Sequence, residues 1–329
     1  MLQGDTLALG RIINILENNG SEAAFITQHI YKLTGKAQRI GITGIPGIGK
    51  STIIDRLTAI FRQEGETVGI VAVDPTSPFS GGAVLGDRVR MQQHYLDRGV
   101  FIRSMATRGN SGGLPRMIGE VTDAIDASGK DIVLIETVGV GQIELDVVKN
   151  VDTVVVIMAP GLGDGIQAMK AGVLEIADIF VINKADQPGA ENLAAELNAL
   201  VKPLNQERGW NIPIVMTKAK EDYHIDELWR QIGSHYAYLT ASGKLIERRK
   251  QQRCDYFLQT LEAKVRSGLK DVVGLDAKIA EYIRDVSEGK IDICSATDEI
   301  LSSNDLYRKL QNRLAGGPRY MEAKQYPGK

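Results

Sequence analysis

The sequence predicts an α/β protein with a doubly wound, mostly parallel sheet, preceded by N-terminal helices and followed by a C-terminal helical arm. Short apolar runs alternate with helical stretches, which is the pattern of βαβ units. Most of these runs are nearly continuous rather than alternating, as expected for parallel strands buried on both faces. After Gly243 the runs stop and charged residues become denser, with 30 in the last 86 positions against 50 in the first 243.

Residues 1–38 are predicted to form an N-terminal helical extension. Ile12, Ile13 and Leu16 recur at helical spacing, so they would share one buried face. No run in this segment resembles a strand, and we therefore place the start of the sheet after it.

Six strands are predicted in the next segment, and together they define a domain over 39–243. Each candidate is a run of five or six residues in which Val and Ile are frequent, as is typical of strands. The candidates are residues 39–43, 68–73, 131–136, 153–158, 178–182 and 212–216.

The last segment, 244–329, is predicted to be a helical arm. Phe257, Leu261 and Val265 follow helical spacing with charged residues between them, which indicates amphipathic helices. A capping box that begins at Ser295 predicts the start of a third helix. Two interpretations stay open: a helical appendage packed on its own sheet, or an oligomerisation arm.

Composition excludes several classes of function. The net charge of the 329 residues is −2 and aromatic residues make up 5%, so neither nucleic acid nor an anionic membrane is an expected partner. The two cysteines cannot form a disulfide framework, and the N-terminus lacks the basic region of a signal peptide. We therefore expect a cytoplasmic protein without a membrane span.

A glycine-rich loop after the first predicted strand matches the phosphate-binding pattern G-x-x-x-x-G-K-[ST]. Its glycines allow backbone N–H groups to face a phosphate, its lysine adds a charge, and its serine offers a hydroxyl to Mg²⁺. We predict that the following residues bind nucleotide: Gly44, Ile45, Pro46, Gly47, Ile48, Gly49, Lys50, Ser51 and Thr52.

A second motif, from Asn183 through Lys184 to Asp186, follows a later strand. A carboxylate at Asp186 can accept hydrogen bonds from guanine N1–H and the 2-amino group together. Adenine lacks both donors, so the pair of motifs predicts GTP and GDP as ligands.

A third loop is predicted to contact the base, and it follows the strand at 212–216. It comprises Thr217, Lys218 and Ala219. We expect the backbone N–H of Ala219 to donate to guanine O6. Guanine-binding proteins usually have Ser where this chain has Lys218.

Three acidic residues are candidates for a magnesium site. Asp74 and Glu136 end predicted strands, which directs them to the crevice where ligands of such sheets bind. Asp87 follows in a loop, where a solvated acid is the alternative. Because Mg²⁺ prefers oxygen ligands, Ser51 and one carboxylate, together with phosphate oxygens and waters, would supply its site.

The chain lacks the glutamine that orients the attacking water in many GTPases. Val140 stands after Gly139, and Gln142 comes two residues later. This predicts slow intrinsic hydrolysis that another loop or a partner completes. The glycine-rich segment 161–170 is the candidate loop, although its charges could also be ordinary helix-end charges.

These motifs together resemble the P-loop GTPases of the MeaB/ArgK/MMAA type, which are chaperones of adenosylcobalamin-dependent acyl-CoA mutases. The resemblance runs nearly end to end. The segments that carry it are residues 39–52, 73–88, 136–142 and 163–170. It implies a SIMIBI-like fold, a C-terminal arm that forms a homodimer, and methylmalonyl-CoA mutase as the expected partner.

The resemblance also implies roles for single residues. Lys50 and Glu136 would be catalytic, and Gln167 and Lys170, with Asp164, would fall on an extra switch loop that responds to the mutase. The metal site would comprise Ser51, Asp74, Asp87 and Glu136. The family usually has Ser, Asp or Glu, and Gly at three positions where this chain has Ile143, Gly165 and Ala168.

Two other functions are alternatives to this one. A nickel-insertion GTPase would need Cys or His ligands near the switches, whereas His94 and His224 have no paired spacing. A kinase of a transport system would usually prefer ATP, which the guanine-reading motif disfavours.

Overall fold

A computed structural model describes most of the chain, and two compact units can be distinguished within it. One unit spans residues 1–252 and the other 253–329. The described residues are 1, 5–18, 22–74, 91–106, 117–137, 147–161, 172–275 and 277–315.

The first unit is built on a seven-stranded sheet whose paired strands all run parallel, in the order β3-β2-β4-β1-β5-β6-β7. Parallel strands need crossover connections, and these place helices on both faces. The strands are β1 (Gln38–Thr43), β2 (Val68–Asp74), β3 (Val100–Ala106), β4 (Ile132–Glu136), β5 (Thr153–Met158), β6 (Ile179–Ile182) and β7 (Ile214–Met216).

The predicted fold class is confirmed, and all six predicted strands are present. Strand β3 was not predicted. It lies at the edge of the sheet and contains Arg103 and Ser104, which are only partly buried. Arg103 and Ser104 interrupt the continuous apolar run that was used to find the other strands.

Eleven helices are described, four of them before the fifth strand. Helix α3 begins directly at the end of the glycine-rich loop. The helices are α1 (Thr6–Glu17), α2 (Ala23–Ile30), α3 (Lys50–Gln63), α4 (Ile118–Ala127), α5 (Leu174–Ile176), α6 (Ala190–Arg208), α7 (Ile225–Ala241), α8 (Lys244–Leu275), α9 (Ala277–Ser287), α10 (Ile293–Ser302) and α11 (Asn304–Ala315).

The sheet separates two apolar cores. One face packs against α1, α4 and α6, with Ile13 and Leu197 fully buried. The other face packs against α3 and α7, with Leu57 and Leu228 fully buried. Burial on both faces is the reason that the strand sequences are continuously apolar.

The N-terminal helices are tied to the sheet through one buried carboxylate. Asp126, at the end of α4, accepts hydrogen bonds from the backbone N–H groups of Gly35, Lys36 and Ala37 at 2.7, 3.2 and 3.1 Å. The guanidinium of Arg39 adds a bond of 2.9 Å to the same carboxylate. The linker into β1 therefore has a fixed conformation.

The first turns of α8 are held at the amino ends of the strands, whereas the glycine-rich loop lies at their carboxyl ends. Arg249 donates to both carboxylate oxygens of Asp152, which immediately precedes β5, at 2.8 and 2.7 Å. Arg248 donates to both oxygens of Asp178, just before β6, at 2.9 and 3.1 Å. Asp152 and Asp178 are almost completely buried.

The second unit contains the remainder of α8 and the helices α9, α10 and α11. Val272, Ile279 and Leu306 form its small apolar core. The capping box predicted at Ser295 is wrong: the N-cap of α10 is Asp292, three residues earlier, and its side chain accepts from the Ser295 N–H at 2.9 Å. Among the described residues, no helix has the length and apolar character of a membrane span.

Candidate nucleotide-binding site

The glycine-rich loop connects the end of β1 to the start of α3, as its sequence predicts. Gly44 and Gly49 have φ angles of 144° and 106°, in the region that favours glycine. A Cβ at Gly44 would lie 2.4 Å from the Ile157 carbonyl oxygen, and one at Gly49 would lie 2.3 Å from Asn183 Nδ2. These two glycines are therefore required by both backbone conformation and close packing.

Lys50 folds back over this loop. Its Nζ donates to the carbonyl oxygens of Gly44 and Ile45 at 2.8 and 3.2 Å, and the residue is 6% exposed. No described side chain caps the N-terminus of α3, so the N–H groups of its first turn are available to an anion. The loop, the lysine and the helix end together form a site for phosphate groups.

Two of the oxygen ligands predicted for Mg²⁺, Ser51 and Glu136, are in contact beside this loop. Ser51 Oγ donates to Glu136 Oε1 at 2.8 Å, and both residues are 4% exposed. Asp74 is buried at the end of β2, and Ala72 of that strand pairs with Glu136 of β4. Buried carboxylates next to a hydroxyl have the donor chemistry that suits Mg²⁺.

Asn183 connects the phosphate loop to the predicted base loop. Its Nδ2 donates to the Ile48 carbonyl oxygen at 2.8 Å. Its Oδ1 accepts from the Ala219 N–H at 3.1 Å and from the Thr217 hydroxyl at 3.3 Å. One amide therefore joins three segments that are distant in sequence.

The neighbours of Asn183 occupy the positions that a base-reading site requires. Lys184, at φ 58°, donates from Nζ to the Gly47 carbonyl oxygen at 3.2 Å. Asp186 lies three residues after Asn183 and is exposed. Lys218 lies over the Tyr223 ring, with Nζ 5.2 Å from the centroid, and forms an ion pair with Glu221.

The base loop differs from the prediction in one respect. The Ala219 N–H, predicted to donate to guanine O6, donates to Asn183 Oδ1 in this structure. A guanine in the site would compete with Asn183 for this hydrogen. The contact between Ala219 and the base stays a prediction.

Several predicted site residues lie outside the described residues. One is Asp87, one of the three acids predicted for the magnesium site. The others are the switch-loop residues Asp164, Gln167 and Lys170, and Gly139, Val140 and Gln142, which follow β4 in the sequence. The structure brings together the other predicted residues along the carboxyl ends of β1, β2, β4, β6 and β7.

Sequence reasoning missed a short segment, residues 91–99, that contacts the phosphate-loop helix α3 through His94 and Asp97. His94 is 7% exposed, and its Nε2 lies 3.2 Å from Asp55 Oδ1 of α3. Further along, Asp97 accepts from Arg62 of α3 at 2.8 and 3.2 Å. His94 carried no sequence signal, because its partner lies 39 residues away.

The comparisons agree with this geometry. The family profile described as "Methylmalonyl Co-A mutase-associated GTPase MeaB" matches residues 9–272. A Pyrococcus abyssi protein that is named as a GTPase is 48% identical over 304 residues, covering 92% of this chain and 94% of the relative.

Two further relatives extend the match. GTPase ArgK of Escherichia coli is 34% identical over 275 residues, which are 81% of this chain and 83% of that protein. The solved structure of a protein described as an LAO/AO transport system kinase has 25% sequence identity and a TM-score of 0.65, covering 94% of this chain and 95% of that one. The resemblance drawn from the motifs is confirmed: the chain belongs to the MeaB family of methylmalonyl Co-A mutase-associated GTPases.

Proposed function

We propose that this chain is a GTP-hydrolysing chaperone that gates adenosylcobalamin loading of an acyl-CoA mutase, such as methylmalonyl-CoA mutase, and protects it. The observation that carries the guanine part is the brace made by Asn183, which connects Ile48 to Ala219. These bonds hold the predicted base loop beside the phosphate loop, and Asp186, which would bind the base, is exposed. The mutase part rests on family membership.

The chemistry we propose is Mg²⁺-dependent hydrolysis of GTP. Lys50 would exchange its bonds to the Gly44 and Ile45 carbonyls for β- and γ-phosphate oxygens. Ser51, Asp74, Asp87 and Glu136 would hold the metal, which neutralises developing phosphate charge. Since these parts bind and stabilise charge but do not orient water, basal hydrolysis is slow.

Switching would depend on residues 161–170, which follow β5 in the sequence. We propose that the mutase orders this loop and so brings Gln167 and Lys170 to the nucleotide. Completing a phosphoryl-transfer site from outside is worth about 10³-fold or more in rate. The departures at Ile143, Gly165 and Ala168 fall in segments that would form this coupling.

The second unit would form a homodimer. Four apolar residues of helix α8 are solvent-exposed: Phe257, Leu258, Leu261 and Val265, with exposed fractions of 64, 53, 48 and 39%. These positions recur at helical spacing and form one apolar stripe. A stripe of this kind is typical of a surface that a second helix covers.

A transport-system kinase is the second candidate, because one solved relative is described with that name. It makes a different prediction: radioactive γ-phosphate would appear on an acceptor protein. In our proposal the phosphate is released to water. A phosphate-transfer assay with a candidate periplasmic acceptor separates the two.

The proposal is tested by binding the chain to its client. The immobilised protein, loaded with GDP or a non-hydrolysable GTP analogue, is incubated with native cell extract and, separately, with purified methylmalonyl-CoA mutase. We expect retention of an acyl-CoA mutase that depends on the nucleotide, and GTP-dependent transfer of adenosylcobalamin to the apo-mutase. Failure to retain any acyl-CoA mutase in either state would contradict the chaperone role.

A further inference from the structure

A pair of buried hydroxyl groups lies at the carboxyl ends of β1 and β4, next to the phosphate loop. Thr43 is the last residue of β1, and Thr137 directly follows β4. Thr137 Oγ1 donates to Thr43 Oγ1 at 2.8 Å, and the two residues are 1 and 0% exposed. Neither residue was singled out from the sequence.

The pair extends the pairing of β1 and β4 beyond their last backbone contacts. Ile42 is in register with Glu136, and the Thr137 N–H donates to the Ile42 carbonyl oxygen at 3.1 Å. The bond between the hydroxyls adds one further link toward the ligand-binding edge. It therefore holds the backbone on the C-terminal side of Glu136.

Stability alone does not account for these hydroxyls. Replacing both partners of a buried hydrogen bond by apolar groups of the same shape is often nearly neutral, and Val has the shape of Thr. A directional bond differs from a Val–Val contact because it fixes the distance and angle between two backbones. The flanking residues show what is fixed: Gly44 begins the phosphate loop, and Glu136 accepts from Ser51.

We propose that Thr43 and Thr137 are positioning residues for the magnesium site, because their bond holds the Glu136 carboxylate in register with Ser51. This inference rests on the proposed function, in which Ser51 and Glu136 hold Mg²⁺. Neither residue is among the proposed metal or nucleotide ligands. It acts through the backbone of the two segments that carry the ligands.

The test is the Mg²⁺ dependence of nucleotide release. Dissociation of a fluorescent GDP analogue is measured over a range of Mg²⁺ concentrations and without Mg²⁺, and thermal stability is measured in parallel. Thr43→Val and Thr137→Val should each raise the half-saturating Mg²⁺ concentration roughly tenfold, which corresponds to one buried hydrogen bond. Release of the analogue without Mg²⁺ should not change.

The double variant and two further variants distinguish positioning from packing. Thr43→Val with Thr137→Val should regain thermal stability, since no orphaned hydroxyl remains, while its Mg²⁺ requirement stays raised. Thr137→Ser keeps the hydroxyl and should restore the wild-type requirement. Thr122→Val is the matched control: this buried hydroxyl donates to the Ile118 carbonyl at 2.7 Å within α4 and should not affect Mg²⁺.

Two results would overturn the inference while leaving the proposed function intact. One is a double variant that recovers stability and Mg²⁺ requirement together, which assigns the pair to packing. The other is a Mg²⁺-responsive wild type whose Thr variants titrate identically. A wild type whose GDP release does not respond to Mg²⁺ at all would instead contradict the magnesium site, and this inference with it.

Discussion

The predicted contact with guanine involves an exposed carboxylate, Asp186, and a buried amide, Asn183. Asn183 is 4% exposed and its amide is used by protein partners at both ends, whereas Asp186 is exposed. The two residues therefore have different roles. Asn183 connects the phosphate loop to the predicted base loop, and we propose that Asp186 selects the base.

Asp186→Asn should shift nucleotide preference from guanine toward xanthine. The xanthine 2-oxo group needs a donor where the guanine 2-amino group needs an acceptor, and an amide supplies that donor. Calorimetric titration with GDP and XDP should show the exchange, whereas Asp226→Asn, an exposed acid on α7 that pairs with Arg230, should leave GDP affinity unchanged. A variant that retains GDP selectivity would contradict the assignment.

Most of the site residues could be predicted because their motifs depend on local spacing. Gly44, Gly49 and Lys50 lie within seven consecutive residues of one loop, and their spacing can be recognised directly in the sequence. The bond from Ala219 to Asn183 joins residues 36 positions apart, and no local pattern indicates it. The same holds for Thr43 and Thr137, which are 94 positions apart.

His235 should make the fold sensitive to mild acid. Burial lowers its pKa below the usual value, and the charge of Asp178 only partly opposes this. Nε2 lies 3.4 Å from the Asp178 carboxylate and Nδ1 2.9 Å from the Thr153 hydroxyl, which suits a neutral ring with Nε2–H. The folded state thus resists protonation that the unfolded chain accepts.

The sign of this effect follows from linkage. The contribution of His235 is complete above the unfolded pKa of about 6.5 and is lost as pH falls toward the lower folded pKa. Urea unfolding at pH 7.5 and 5.5 should show a larger loss of stability for wild type than for His235→Gln. Equal losses in the two proteins would show that His235 does not couple folding to pH.

At the scale of elements, buried ion pairs anchor the first turns of helix α8. Arg249 donates to Asp152 and to the carbonyl oxygens of Gly35 and Ala37 at 2.6 and 2.8 Å. The same guanidinium therefore fixes the linker before β1 and the start of β5. Burial alone would lower the pKa of Arg249, but the hydrogen bonds and charge of Asp152 raise it overall, so the guanidinium stays charged.

Arg249→Met should destabilise the first unit by about 3–5 kcal/mol, because removing one partner leaves the Asp152 carboxylate buried and uncompensated. Arg230→Met is the matched control. Arg230 pairs with Asp226 at an exposed i,i+4 position, and such a pair is worth about 0.3–0.5 kcal/mol. Chemical denaturation measures both values, and similar losses in the two variants would contradict the proposed anchoring.

The elements that sequence reasoning missed depend on distant partners. Strand β3 contains Arg103, whose partner is Glu17 of α1, 86 positions away at 2.9 Å. A charged residue at an edge position breaks the apolar pattern although it is well satisfied in the fold. The start of α10 was misplaced for a local reason: Asp292 and Ser295 are both good N-cap residues, and Asp292 comes first.

At the scale of the whole molecule, the apolar stripe on α8 predicts a dimer that can be separated from nucleotide binding. Deletion of residues 253–329 removes the stripe and retains Arg248, Arg249 and Gln252, which contact the sheet edge. Sedimentation velocity should show a dimer for the full chain and a monomer for the truncated chain, and both should bind GDP. A full chain that sediments as a monomer at micromolar concentration would contradict the dimer.

The order of the sheet explains why the predicted ligand residues that the structure describes lie along the carboxyl ends of the strands. Strands β1, β2, β4, β6 and β7 all end on the same side because the sheet is parallel. The order reverses on the two sides of β1, and the glycine-rich loop leaves the sheet at that point, where doubly wound folds bind ligands. Fold class and site position were therefore predictable together from the strand pattern.

The measurement that decides whether this GTPase is switched by a mutase is single-turnover GTP hydrolysis with and without methylmalonyl-CoA mutase. We expect slow hydrolysis by the chain alone and acceleration by the mutase. Lys170→Ala should retain GTP affinity and basal turnover but lose the acceleration, whereas Lys50→Ala should impair binding and turnover in both conditions. Equal acceleration of Lys170→Ala and wild type would contradict the switch-loop role, and a wild type that the mutase does not accelerate would contradict the coupling itself.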